Sequence, residues 1–364
     1  MGTIWAPSLG DKPGPKYQRV ADTIRAAVEN DTLRVGTKLP PVRDLAYQLG
    51  ITPGTVARAY STLTDEGLLQ AEVGRGTFVA ERQTKVMDDV WSRELHLREE
   101  SDPNHVSLFS PRLADVGQVA AIREAMKKVA AADPLMFLNY PTRDAYRPVR
   151  EAVVEWLSDQ PLGPLDESQV VLTHGGQNGI LTVLQAVLKD AQPTLLVEDL
   201  SYAGFRRASE LLRAKVVGVG MDEHGIRPDS LELAIRKTGA TVLCTSPEVH
   251  NPTGLFTPQK RREEIIKVAR RHELQIVEDD CYRMGEAGAP SYRALAPDIT
   301  WHVCSISKVL TPALRVGFAL APKGHEQDLR RSAEYSFFGL SQPLAELIRV
   351  LLSDPRSKEL AKEV

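Results

Sequence analysis

The pattern of apolar positions predicts three helices and a hairpin in the first 80 residues. The first helix is indicated by apolar side chains at helical spacing, namely Tyr17, Val20, Ile24 and Val28. The second helix follows the prolines at 40 and 41 and ends at Gly50, since proline is tolerated in a first turn and glycine favours a helix end. Thr52 is placed to cap the third helix, whose predicted inward residues are Val56, Tyr60 and Leu63. Two short segments, 68–71 and 77–79, then flank a glycine-rich turn and predict the hairpin.

From about residue 106 the pattern changes to short apolar runs that alternate with amphipathic segments. The predicted strands are 170–173, 194–198, 215–219, 241–245, 275–278, 301–305 and 316–320. The predicted helices are 118–131, 145–158, 177–189, 202–213, 229–237 and 258–272. Strands that alternate with helices indicate an α/β domain with a mostly parallel seven-stranded sheet covered on both faces. Ligands of such a domain bind at the carboxyl ends of the strands.

Two further stretches differ from both patterns and set the predicted domain organisation. Residues 1–16 are rich in proline and glycine and predict a flexible arm, and residues 81–105 are highly charged and predict a linker. The chain is therefore predicted to contain the arm, a helical domain at 17–80, the linker and an α/β domain at 106–364.

Composition and charge narrow the classes of protein only slightly. Apolar residues make up 42% and the net charge is -3, as in an ordinary globular protein. The first 80 residues hold nine basic and eight acidic side chains, so charge alone does not identify a nucleic-acid binder. The three cysteines lack metal-binding spacing and are predicted to be small buried residues in a reducing compartment. Without an apolar leader or an apolar run of about 18 residues, we expect a cytoplasmic protein with no membrane span and no metal.

The order helix, helix, turn, helix, hairpin is that of a winged helix-turn-helix DNA-binding domain. Its third helix is expected to lie in the major groove, and its hairpin to touch the backbone or the minor groove. Small residues let backbone amides approach phosphates, and an arginine contacts a phosphate or a guanine edge. The candidate DNA-binding residues are Arg43, Thr52, Gly54, Thr55, Arg58, Arg75 and Gly76. Each of them taken alone also fits a solvated surface position.

The complete string of residues is far more specific than its members. It runs Leu39-Pro40-Pro41-x-Arg43-x-Leu45-Ala46, then Leu49-Gly50-Ile51-x-x-x-Thr55-Val56, and ends with Gly74-x-Gly76-Thr77-Phe78-Val79. Over about 60 residues this string closely resembles the GntR family of bacterial regulators. The resemblance implies operator binding as a dimer, with Arg43, Thr52, Thr55, Arg58 and Arg75 at matching positions. Ala57 replaces an arginine that many relatives carry, which leaves the operator preference open.

Several polar segments follow predicted strands of the α/β domain. Gly176 and Gln177 open a helix after a strand, an arrangement that binds anions. Asp279 ends another strand, where a carboxylate can pair with a pyridinium nitrogen. Lys308 lies at the edge of the predicted cleft, where a lysine can form a Schiff base, and Arg315 can bind a phosphate with two hydrogen bonds. Taken alone, the glycines fit a strand end and the lysine a surface position.

Together these segments resemble the fold-type I pyridoxal 5'-phosphate (PLP) enzymes of the aminotransferase class, over residues 106–364. The resemblance implies PLP as cofactor and Lys308 as the catalytic Schiff-base lysine. It places Asp279 on the pyridine nitrogen, Asn251 and Tyr282 on the ring oxygen, and Tyr202 against the ring. The phosphate would be held by Gly176, Gln177, Ser305 and Arg315, with Ser307 in the same site, and by Tyr140 of the neighbouring subunit.

A GntR-type domain fused to an aminotransferase-like domain resembles the MocR subfamily of GntR regulators. The resemblance implies a head-to-tail homodimer that senses PLP, or an amino acid or amine, through the cofactor. It also implies a small C-terminal domain beyond Val364 that carries the arginine for a substrate carboxylate, so we expect a truncated chain.

Three functions remain open from the sequence. The first is a PLP-dependent transcriptional regulator, in which transamination is at most residual. The second is a genuine aminotransferase that acts on an amino acid and a 2-oxo acid. The third is a plain DNA-binding protein whose second domain is only a dimerisation scaffold.

Overall fold

The computed structural model describes residues 5, 15–30, 32–72, 75–80, 113–283 and 285–364. The predicted linker 81–105 and nearly all of the predicted arm 1–16 lie outside these residues, as do residues 106–112 of the predicted α/β domain. Two compact units are present, Met1–Leu108 and Phe109–Val364. Among the described residues, every helix is too short or too polar to cross a membrane.

The first unit contains three helices and a hairpin, in the predicted order. The helices are α1 (Lys16–Glu29), α2 (Val42–Leu49) and α3 (Pro53–Asp65), and the strands are β1 (Leu69–Glu72) and β2 (Gly76–Val79). Gly50 ends α2 at a φ of 63°, a left-handed conformation that favours glycine. The predicted inward residues of α3, Val56, Tyr60 and Leu63, are buried with Val20, Ile24 and Leu45 in one apolar core. Helical periodicity was therefore sufficient to predict α1 and α3, and the glycine-rich turn predicted the hairpin.

The cap of α3 differs from the prediction. Thr52 is the N-cap residue, but its hydroxyl does not bond to a backbone N–H of the helix. Instead its Oγ1 lies 2.9 Å from Oγ1 of Thr55. The two hydroxyls are therefore hydrogen-bonded to each other at the start of α3.

The second unit is built around a seven-stranded sheet. Its strands are β3 (Val170–Thr173), β4 (Thr194–Glu198), β5 (Lys215–Val219), β8 (Val242–Thr245), β9 (Gln275–Asp279), β10 (Thr300–Ser305) and β11 (Gly317–Leu320). The order across the sheet is β3-β11-β10-β9-β8-β4-β5. Five strands run parallel, from β10 to β5, and β11 is antiparallel to both of its neighbours. The predicted strands and the mostly parallel sheet are confirmed.

Helices cover both faces of the sheet. They are α4 (Gln118–Ala130), α5 (Arg147–Trp156), α6 (Gly176–Val187), α7 (Ala203–Leu211), α8 (Pro228–Thr238) and α9 (Gln259–Arg271), followed by α10 (Tyr292–Leu295), α11 (Glu326–Phe337), α12 (Gln342–Leu352) and α13 (Pro355–Glu363). Successive residues of a strand face opposite sides. Val277 and Val303 accordingly pack in one apolar cluster, whereas Ile276 packs in another. The short hairpin of β6 (Met221–Asp222) and β7 (Gly225–Ile226) was not predicted, because two-residue strands carry no periodicity.

Candidate cofactor site and DNA-binding surface

The strand directions bring most of the predicted cofactor-binding segments to one edge of the sheet. Because β8, β9 and β10 are parallel, the segments that follow Thr245, Asp279 and Ser305 leave the sheet at the same edge. The antiparallel β11 begins at that edge, with Gly317 paired to Ser305 on one side and to Thr173 on the other. Arg315 therefore lies close to the glycines that follow β3.

The loop from β3 to α6 is a cradle without room for side chains. A Cβ at Gly176 would lie 2.3 Å from Sγ of Cys281, and a Cβ at Gly175 would lie 2.9 Å from Nη2 of Arg315. Gly175 has a φ of 81°, and Arg315 has a φ of 50°, which is unusual for a residue with a side chain. The first N–H groups of α6 have no acceptor inside the helix. Bare backbone donors beside a guanidinium fit a phosphate group.

Lys308 lies in a 3₁₀ turn directly after β10, in Ile306–Lys308. Its ammonium nitrogen is 4.8 Å from the centre of the Tyr282 ring, and both residues are half-buried. Ser305 holds the turn, since its Oγ accepts a hydrogen bond from the N–H of Ser307 at 3.0 Å and donates to Oγ of Ser307 at 2.8 Å. The lysine therefore lies on a hydrogen-bonded turn at the carboxyl end of β10.

Asp279 is a buried carboxyl at the end of β9. It is 8% exposed, and its Oδ1 accepts a hydrogen bond from the N–H of Cys281 at 3.1 Å. Burial raises the pKa of Asp279, an effect opposed by the hydrogen bonds at Cys281 and by the charge of His302. A buried carboxyl of this kind gains most when a cationic ring nitrogen is placed against it. The donor set and the cradle therefore fit a phosphorylated pyridine cofactor.

Tyr202 and Gln177 meet at Gly204, a residue that the sequence analysis did not single out. A Cβ at Gly204 would lie 2.0 Å from Oε1 of Gln177 and 2.1 Å from Cε1 of Tyr202. The Gln177 side chain donates from Nε2 to the Gly204 carbonyl at 2.9 Å, whereas its buried Oε1 has no partner among the described residues. Burial raises the pKa of Tyr202 to about 12, so the phenol stays neutral. The missing side chain at Gly204 leaves room for the Tyr202 ring and the Gln177 side chain.

A buried ion pair holds the segment that carries Asn251. Arg262, only 1% exposed, donates from Nη2 to Oε2 of Glu248 at 2.6 Å and from Nε to the Thr257 carbonyl at 2.8 Å. It also donates to the carbonyl of Pro290 at 3.0 Å. The sequence analysis missed Arg262, because a helical arginine gives no sign that it is buried. Half-buried Asn251 is part of the loop that this pair fixes.

Tyr140 has a strongly exposed side chain, at 90%, and Arg315 is the other exposed residue of the predicted cofactor set. Tyr140 follows a short 3₁₀ turn, Pro134–Phe137. Exposed apolar side chains precede it, with Leu138 at 81% and Phe137 at 51%. Large exposed apolar side chains, where they form a patch, are typical of interaction surfaces.

The predicted DNA-binding residues lie on the surface of the first unit. Arg43, Thr52, Gly54, Arg58, Arg75 and Gly76 are exposed, and Thr55 is half-buried. The Arg58 guanidinium lies over the Tyr17 ring, 4.1 Å from its centre, so α1 supports an α3 side chain. Lys38 lies beside the hairpin, because a Cβ at Gly76 would be 2.7 Å from Cε of Lys38. The sequence analysis missed Tyr17 and Lys38 as parts of this surface, since both contacts join residues distant in sequence.

Family comparisons match both units. Residues 111–364 match the aminotransferase class I and II family, and residues 16–79 match the bacterial regulatory proteins of the gntR family. The regulator YdeF of Bacillus subtilis, described as an uncharacterized HTH-type transcriptional regulator, is 26% identical over 351 residues, which cover 94% of this chain and 72% of YdeF.

Two further similarities concern pyridoxine and PLP. The HTH-type pyridoxine biosynthesis transcriptional regulator PdxR of Corynebacterium glutamicum is 29% identical over 318 residues, 84% of this chain and 65% of PdxR. The crystal structure of LysN, an α-aminoadipate aminotransferase of Thermus thermophilus with a phosphopyridoxyl-leucine ligand, has a TM-score of 0.60 and 29% identity. That match covers 68% of this chain and 64% of LysN. The chain belongs to the aminotransferase class I and II family, with PLP as its implied cofactor, and its combination of that domain with a gntR segment matches the MocR subfamily of GntR transcriptional regulators.

Proposed function

We propose that this protein is a transcriptional regulator that binds operator DNA through residues 17–80 and adjusts that binding to PLP or an amino compound. One observation carries the proposal: a gntR segment and a cradle suited to a phosphorylated pyridine occur in one chain. A DNA-binding domain does not need a cofactor site, and a cofactor site does not need a DNA-binding domain. Their fusion supports a protein in which occupancy of the cofactor site changes DNA binding.

The proposed roles in the cofactor site follow from the placement of the residues. Asp279 would pair with the pyridine nitrogen, Tyr202 would cover one face of the ring, and Lys308 would hold the cofactor covalently. The ring oxygen would be held by Asn251 and Tyr282, and the phosphate by Gly176, Gln177, Ser305, Ser307 and Arg315. When bound, PLP supplies an electron-withdrawing ring to which an amine can be attached. The chain's own groups would orient that ring.

Two copies of the chain are proposed to complete each site. The exposed Tyr140 and the apolar residues before it favour an interface, and in this proposal Tyr140 reaches the phosphate bound by the partner. Tyr140→Phe should weaken PLP binding without changing the sedimentation of the protein, because only one hydroxyl is lost.

The function is tested by a gel shift with the DNA upstream of the protein's own gene, with and without PLP. A salt-sensitive, sequence-selective shift that PLP alters would support the proposal. A protein that binds PLP but shifts no DNA selectively would contradict it.

The alternative, a genuine aminotransferase, is supported by the presence of both Lys308 and Asp279 at the strand edge. Turnover of an amino acid with a 2-oxo acid would support that alternative.

Arg58→Ala should weaken operator binding by about 10- to 100-fold, the effect of about 1–3 kcal/mol for a specific arginine contact. Tyr17→Leu should weaken it by only about 2- to 5-fold, because it removes the support of Arg58 and not the guanidinium itself. Adding Tyr17→Leu to Arg58→Ala should then have little further effect. Fluorescence anisotropy with labelled operator DNA measures these changes.

Arg25→Ala is the matched control, since Arg25 is already paired with Glu66 at 2.7 Å. It removes the same charge and should change DNA affinity far less. Equal losses for Arg25→Ala and Arg58→Ala would mean that only net charge matters.

Gly204→Ala should lower the affinity for PLP by about tenfold, the effect of about 1.4 kcal/mol. The added methyl group would collide with Tyr202 and Gln177 and displace the Tyr202 ring. The fold should tolerate the change, because alanine favours a helix more than glycine does. Titration of the apoprotein with PLP gives the affinity, and Leu211→Ala, an exposed position of α7, is the control. Unchanged PLP affinity would show that the Tyr202 ring does not contribute to the site.

A further inference from the structure

His302 is a fully buried histidine between two carboxyl groups. It lies on β10 with no exposed surface, and its Nδ1 is 3.0 Å from Oε2 of Glu278. Its Nε2 is 3.8 Å from Oδ2 of Asp280. One imidazole therefore faces the carboxyl groups of the two residues that flank Asp279.

The alternation of side chains along β9 separates these three acidic residues. Glu278 points to the face that carries His302, where its carboxylate also accepts hydrogen bonds from the N–H groups of Tyr292 and Arg293 at 2.9 and 3.2 Å. Asp280 is held on the same side by Arg283, at 2.8 Å. Asp279 lies between them and must point to the opposite face, toward the proposed cofactor site. Anchoring the two neighbours thus fixes the direction of Asp279.

Two carboxylates favour the protonated form of His302, those of Glu278 on β9 and of Asp280 directly after β9. The nearby cations act in the opposite sense. They are Arg283, which pairs with Asp280, and Arg293 on α10, whose backbone N–H binds Glu278. Burial alone lowers the pKa of His302, but neighbouring side chains, among them the Glu278 carboxylate at 3.0 Å, raise it to about 10. Burial raises the pKa of Glu278, but His302, the N–H of Tyr292 and the charge of Arg262 together lower it below its usual value. The same positive charge acts on Asp279 and opposes the rise of its pKa.

We propose that His302 is a positioning residue for the cofactor, which holds Asp279 in place against the pyridine nitrogen by anchoring Glu278 and facing Asp280 on the opposite side of the strand. His302 does not touch the cofactor in this arrangement. It acts through the end of β9, both by geometry and by its charge. The inference rests on the proposed role of Asp279 and adds a residue on the far face of the sheet.

The test compares PLP with deaza-PLP, an analogue in which a C–H group replaces the pyridine nitrogen. Only PLP can use the pair with Asp279, so the ratio of the two affinities reports that pair and not the general integrity of the site. The wild-type apoprotein should bind PLP at least about tenfold more tightly than deaza-PLP. His302→Gln should reduce this ratio to about 1 to 3, with little change in the affinity for deaza-PLP.

Further variants keep the test decisive if His302→Gln folds poorly. Glu278→Gln keeps the shape of the contact but removes the charge that protonates His302, so it should also reduce the ratio. Asp279→Asn should abolish the preference, and His302→Gln should add nothing in that background. The control is His272→Gln. His272 directly follows α9 and contacts Glu232 of α8 at 3.4 Å, so this substitution should leave both affinities unchanged.

Each outcome is assignable. Equal weakening of both compounds by His302→Gln would mean a merely structural role and would overturn the inference, as would an unchanged ratio. These two results would leave the proposed function intact. A wild-type protein that bound neither compound would overturn the proposed function and this inference together.

Discussion

Replacing Lys308 by alanine should remove the visible absorption band of the PLP-loaded protein and lower the affinity for PLP by about 10- to 100-fold or more. Even without the covalent link, the loss of a charged hydrogen-bonding group costs about 1.5–3 kcal/mol. The lysine lies in the 3₁₀ turn after β10, with its ammonium nitrogen 4.8 Å from the centre of the Tyr282 ring.

The measurement combines an absorption titration with borohydride reduction and peptide mapping. Reduction should fix the cofactor on the peptide that contains Lys308 in the wild-type protein and leave the variant unlabelled. Lys323→Ala, an exposed lysine after β11, is the control and should behave as the wild type does. The winged helix-turn-helix should remain folded in Lys308→Ala. A variant that lost its helix content by circular dichroism would show that Lys308 is structural.

Replacing Arg262 by methionine should destabilise the α/β domain by about 3–5 kcal/mol, because Glu248 would remain as a buried charge without its partner. Arg262 also donates to main-chain carbonyls of the loop before α9 and of Pro290, which methionine cannot do. The loss should therefore appear both in the free energy of unfolding by urea and as weaker PLP binding, since the same loop carries Asn251.

Two comparisons separate burial from ion pairing as such. Arg270 lies on the same helix and forms two hydrogen bonds with Asp298, at 2.7 and 2.8 Å, but both side chains are about half exposed. Arg270→Met should cost less than about 1 kcal/mol. Adding Glu248→Gln to Arg262→Met should restore part of the stability, because the uncompensated charge is removed. If Arg262→Met cost no more than Arg270→Met, the buried pair would contribute nothing beyond a surface contact.

The short-range patterns of the chain were sufficient to predict most of its elements. Helical spacing of Tyr17, Val20 and Ile24 predicted α1, and the apolar runs predicted the strands of the sheet within about a residue. The glycines and polar residues after those runs also identified the candidate site, because loops at strand ends are where parallel sheets bind ligands. Their roles remain predictions.

By itself, then, the sequence determined the two-part organisation, the α/β class with a mostly parallel sheet, and the chemistry available at the strand ends, since each of these depends on residues close together in the chain. Only the tertiary structure decided which distant residues support that chemistry. The antiparallel direction of β11 brings Arg315 to Gly175, the packing of α1 on α3 places Tyr17 under Arg58, and the pairing of β9 with β10 buries His302 beside Glu278. The physical reason is that burial and partnership of a polar side chain are set by long-range contacts, which periodicity along the chain does not encode.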